Sequence, residues 1–148
     1  MIELQTGKII FPELNITIVP LLHYADFLSD FPKNKIIQIR DMRNGYAWCD
    51  IREKVYDNKI PVAFCFNPQG VLELVHLYPQ SADATASQHW EYWTLEEAQK
   101  DKMYCDKWLV NVCGLKNEEN LFPWGSVSSY FDPRSCSSGI CIHYKEQK

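Results

Sequence analysis

The sequence is short of the features that announce chemistry. Its six cysteines, at 49, 65, 105, 113, 136 and 141, form no Cys-x-x-Cys or Cys-x-x-His pair, which removes the spacing of a zinc finger or a redox dithiol. The four histidines, His23, His76, His89 and His143, show no metal-ligand spacing either. No glycine-rich phosphate loop is present: Trp124-Gly125 holds a single glycine, and Ser137-Ser138-Gly139 lacks the partner glycines and the lysine of such a loop. No apolar run approaches the ~20 residues of a membrane span. Basic excess is missing too. A net charge of −4 argues against general nucleic-acid binding, because phosphate neutralisation needs a basic face. The Met1-Ile2-Glu3-Leu4-Gln5 start has neither the basic residues nor the long apolar core of a secretory signal, so a cytoplasmic protein is expected.

These absences lead to an expectation of no enzyme activity, no cofactor and no metal. His23 has no Ser or Cys motif beside it, and Asp132 with Arg134 reads as a local turn pair. The cysteines read as reduced, mostly structural thiols, although Cys136 and Cys141 flank the last turn and are placed to bridge it. Two alternatives stay open: a small cytosolic enzyme using Cys or His, and a small-ligand-binding domain.

What the chain does have is aromatic mass, with five Trp, eight Tyr and seven Phe. At 148 residues it fits one domain, 1–148, burying roughly 70% of the surface its unfolded form exposes. Lys8 to Phe11 and Asn15 to Val19 alternate as strands, and Tyr24, Phe27, Leu28 and Phe31 mark a short helix stopped by Pro32. Lys35–Met42 and Tyr46–Ile51 flank Asn44-Gly45, the signature of a two-residue hairpin turn with both residues left-handed. Ile60–Phe66, with Pro61 near its start, returns through Asn67–Gly70 to Val71–Tyr78. The links are too short for parallel crossovers, so the strands form an antiparallel meander. A polar loop follows from Pro79 to His89. Thr94 and Glu97 then supply a capping box, and Leu95, Ala98, Cys105, Trp108, Leu109 and Val112 carry helical spacing to Gly114, about 20 residues. Val127–Phe131 and Ile140–Tyr144 form a closing hairpin. The expected fold is α+β, an antiparallel β-meander sheet packed against one long and one short helix.

Binding finds more support in the residues than catalysis does. Asp83, Glu91, Glu96, Glu97, Asp101 and Asp106 are interleaved with Trp90, Tyr92, Trp93 and Tyr104. Carboxylates speed encounter with a basic protein and aromatic rings anchor it, so Trp90, Tyr92, Glu96, Glu97 and Asp101 are the candidate interaction residues. The competing reading is structural: acidic residues in a first helical turn complement the helix dipole, and Trp90 and Trp93 then belong to the core.

Gly7-Lys8-Ile9-Ile10-Phe11 with Ile16, the paired strands around Phe64 and Leu74, Trp93-Thr94 and the closing run also form a pattern. That run goes from Trp124-Gly125-x-Val127 through Asp132-x-Arg134 to Ser138-x-Ile140-x-Ile142-x-Tyr144. The chain resembles small bacterial immunity proteins of polymorphic toxin and contact-dependent inhibition systems. The resemblance implies a cytoplasmic partner of a cognate toxin's C-terminal domain, a nuclease by the chain's acidic balance, neutralised by stoichiometric binding without chemistry. A monomer that contacts neither nucleic acid nor membrane is expected. The shared residues are scaffold and carry no binding role over.

Overall fold

The structure, a computed structural model, describes residues 1–56, 58–79, 95–133 and 137–145, apart from the side chains at 95, 97 and 98. A small antiparallel sheet holds β1 (Ile2–Glu3), β2 (Lys8–Phe11) and β3 (Ile16–Ile18), and α1 (Tyr24–Asp30) follows. The main chain of strands is β4 (Ile36–Asp41), β5 (Ala47–Val55), β6 (Asn58–Phe66) and β7 (Leu72–Leu77). After α2 (Leu95–Asn111) come β8 (Asn120–Phe122), β9 (Gly125–Asp132) and β10 (Ser137–Tyr144). The second sheet has seven strands in the order β4-β5-β6-β7-β10-β9-β8, every pair antiparallel. This is the expected α+β class. The addition is the separate small sheet, together with a reversed second half in which the last strand, not the next one, lies beside β7.

Local chemistry explains the turns. Asn67 Oδ1 accepts the N–H groups of Gln69 and Val71, both at 3.0 Å, and turns β6 into β7. Pro61 sits deeper in β6 than its expected place at the start. Its carbonyl accepts the Tyr78 N–H just past the end of β7, so its missing N–H falls where the ladder stops. The β4–β5 turn differs from expectation. The left-handed residues are Arg43 and Gly45, not Asn44 and Gly45, and Met42 N–H donates to the Tyr46 carbonyl across a three-residue connection. Asn44 instead accepts the Tyr46 N–H on Oδ1, and Asp41 accepts the Arg43 N–H. Those side-chain bonds favour the longer turn.

One face of the large sheet is the core. Cys49, Ile51 and Val55 of β5, Ile60, Val62, Phe64 and Phe66 of β6, Val75 and Leu77 of β7, and Ile140, Ile142 and Tyr144 of β10 are buried on it. Phe27 of α1 and Phe31, which caps it, pack their rings on Phe64, and Phe11 of the small sheet meets both Phe31 and Phe64 edge-on. Each such ring contributes about 1.5–3 kcal/mol through burial. The α2 helix covers the β9–β10 end of the same face through Cys105, Trp108 and Leu109. Lys102 pins it by bonding Asp106 at 2.5 Å and Ser129 Oγ at 3.0 Å, and Ser129 also donates to Asp106. Thr94, the expected N-cap, lies outside the described residues. At the other end Gly114 is left-handed and the Leu115 N–H closes on the Leu109 carbonyl.

The closing hairpin ties the two sheets together. Tyr144, buried, donates its hydroxyl to the Gly7 carbonyl at 2.8 Å, and Trp124 Nε1 donates to the Leu4 carbonyl at 2.8 Å. Gly125 has φ +154°, and a Cβ there would run into the His143 carbonyl of the neighbouring strand. Only glycine fits this close approach. Cys141 is a free thiol, and Cys136, with which it was expected to be placed to bridge the last turn, lies outside the described residues.

Candidate interaction surface

The expected interaction residues are only partly described. Trp90 and Tyr92 lie outside the described residues, as does the side chain of Glu97. Glu96 is exposed and pairs with Lys100 at 3.8 Å, one helical turn on; Asp101 is also exposed. Glu96 and Asp101 are five residues apart, about 140° around the helix, so they do not share one face.

A different group comes together on the second face of the large sheet, opposite the described helices. Strand alternation places Arg40 opposite Trp48 and His76 opposite both Ala63 and Cys141, while Tyr130 comes from β9. Arg40 makes two parallel bonds to Asp50, at 2.8 and 2.7 Å, and lies 5.4 Å above the Trp48 ring. The Trp48 and His76 ring centres are 5.1 Å apart, and those of His76 and Tyr130 are 4.9 Å apart. His76 Nδ1 lies 3.2 Å from the Tyr78 hydroxyl and 3.3 Å from that of Tyr130. These side chains flank the buried Ala63 and Cys65, which is how the continuous apolar run of β6 is covered on both faces. A bidentate arginine stacked on tryptophan is rigid before any partner arrives, and Arg, Trp and Tyr are the residue types that dominate interface energetics.

Burial shifts the titratable groups on and around this face. Burial, assisted by the Arg40 charge, holds His76 down at about 4, so at neutral pH the ring is uncharged and a weak base. Burial pushes the thiols of Cys49, Cys65 and Cys141 up to about 11, leaving them protonated and poor nucleophiles. Burial also raises Tyr78 and Tyr130. A cleft of about 360 Å³ opens near His23, Asn67, Glu73 and Tyr144, but Asn67 Oδ1 is committed to its turn and the Tyr144 hydroxyl to Gly7. Among the described residues no group of three His, Cys, Asp or Glu is placed to hold a metal ion, and no helix is long and apolar enough to cross a membrane.

Beside the Arg40 cluster the sheet ends in β4, whose apolar side chains face solvent: Ile37 is 66% exposed, Ile39 47% and Met42, just beyond, 48%. Periodicity marked this segment as a strand but did not mark it as an edge, because strand order is not written in alternation. No family model matches this chain, and neither does any curated protein or solved structure.

Proposed function

We propose that this protein is a cytoplasmic immunity protein, which neutralises a cognate bacterial toxin by stoichiometric binding to the toxin's C-terminal domain. The observation that carries this reading is an Arg40–Trp48–His76–Tyr130 cluster that starts at the β4 edge and runs across the second face of the sheet to β9, beside apolar side chains of that edge left in solvent. Interfaces are built around aromatic and arginine anchors, and an apolar edge is normally blunted unless it is used. The sequence resemblance supports a toxin domain as the partner, and the acidic chain as a whole suits a basic nuclease domain. The buried, protonated thiols and the depressed His76 weigh against the alternative of an enzyme using Cys or His.

The test is coexpression with the C-terminal domain encoded by the gene immediately upstream. The expected result is restored growth of cells making that domain, with a one-to-one complex on size-exclusion chromatography. Continued toxicity with no complex overturns the proposal.

A further inference from the structure

The backbone of β4 is arranged to accept another strand. The Met42 N–H bond to Tyr46 makes that residue pair hydrogen-bonded, and in an antiparallel ladder such pairs alternate. Arg40, opposite Trp48, is therefore turned toward β5, whereas Ile39 and Asp41, opposite Cys49 and Ala47, direct their N–H and C=O groups away from the sheet. The bulge falls at Ile36–Gln38, so the regular ladder of β4 runs from Gln38 to Asp41 and holds both outward-turned residues.

Charge says what kind of strand fits. Residues 33–59 carry seven Lys or Arg against four Asp or Glu, net +3, while the rest of the chain carries eight against fifteen, net −7. Lys33 and Lys35 precede β4 and Arg43 follows it; all three are exposed, and none has an ion-pair partner among the described residues. Arg40 is already held by Asp50. A second copy of the chain brought edge to edge would set this positive end against itself. A strand bearing carboxylates would not.

We infer that the β4 edge takes an extended segment of the toxin domain as an eighth strand, a segment with apolar side chains opposite Ile37 and Ile39 and carboxylates near Lys33, Lys35 and Arg43. Backbone hydrogen bonds from Ile39 and Asp41 supply register, and the exposed isoleucines supply contact. The inference rests on the toxin-binding role proposed above. The acidic remainder of the chain attracts a basic domain at long range, while the positive edge selects the acidic segment within it.

The test is calorimetric titration of the upstream-encoded domain into wild type and four variants, each first checked for an unchanged melting temperature. The Ile37→Lys/Ile39→Lys double variant is expected to bind at least roughly 100-fold more weakly. Ile39→Pro, which deletes one outward N–H without touching the β5 ladder, is expected to bind roughly 10-fold more weakly. Lys33→Glu/Lys35→Glu/Arg43→Glu is expected to associate roughly 10-fold more slowly at low salt. Leu121→Lys, on the opposite edge, is expected to stay within about 2-fold of wild type. Undiminished binding by the isoleucine variants and Ile39→Pro overturns the docking edge while leaving the toxin-binding role in place. Absence of binding by wild type overturns both. A wild-type dimer that Ile37→Lys/Ile39→Lys splits gives the edge to a second copy and overturns the assignment.

Discussion

The two edges of the large sheet are built in opposite ways. β8 is three residues long, is followed at once by Pro123, and is held by Asn120, whose amide donates to the carbonyls of Lys116, Glu118 and Val127 while its Oδ1 accepts the Lys116 N–H. Phe122 is stacked on Trp124, with ring centres 4.9 Å apart, leaving Leu121 as the one large side chain in solvent there. β4 is twice as long and carries Ile37, Ile39 and then Met42 outward, with no described element over it. Short length, proline and a pinned loop are the usual defences of an edge against unwanted pairing. The β4 edge has a bulge at Ile36–Gln38 and flanking charges at Lys33, Lys35 and Arg43 instead, and still leaves Ile37 and Ile39 exposed between them, a feature we explain by use.

The contrast can be broken most forcefully on the β8 side. Gly125→Ala places a methyl group against the His143 carbonyl at a left-handed φ, and a loss of about 3 kcal/mol or more is expected in urea unfolding. The second expected effect belongs to the centre of the sheet, where His76 stands on β7 in the cluster that Arg40 joins to the β4 edge, and is pH-dependent. His76 sits near 4 when folded and at its ordinary 6.5 when unfolded, so the unfolded chain gains a proton first as pH falls. This contribution to stability is full above about 6.5 and is lost on the way to 4, about 2–3 kcal/mol between pH 7 and 4.5. His76→Gln should remove that part of the pH dependence, and parallel unfolding curves for the two proteins at pH 7 and 4.5 check it. Third, Asn120→Ala should cost about 1–2 kcal/mol by releasing the loop that guards β8. The smallest effect is the most diagnostic: Ile39→Lys should change stability by no more than about 1 kcal/mol, because the side chain it replaces is only half buried, at 47% exposed.

Much of the fold was legible because period-2 alternation and turn residues state it directly. The apolar run Val62–Phe66, the Asn67–Gly70 turn and the closing hairpin all fall where their residues place them. The surface was less legible, and one residue of register shows why. A two-residue turn at Asn44-Gly45 would pair Arg43 with Tyr46 and set Arg40 opposite Cys49. The three-residue connection shifts the ladder by one and sets Arg40 opposite Trp48, on the other face. His76 and Tyr130 join them only through the insertion of β10 between β7 and β9, a long-range pairing that local patterns do not carry. The stretch from Trp90 to Asp101 was chosen on composition, and composition does not say which strand stands at an edge.

Hydrogen–deuterium exchange with and without the upstream-encoded toxin domain tests the central claim most directly. The account predicts slowed exchange at the Ile39 and Asp41 amides on complex formation, with β8 unchanged. Protection confined to α2 or to β8, with Ile39 and Asp41 exchanging as in the free protein, would contradict it.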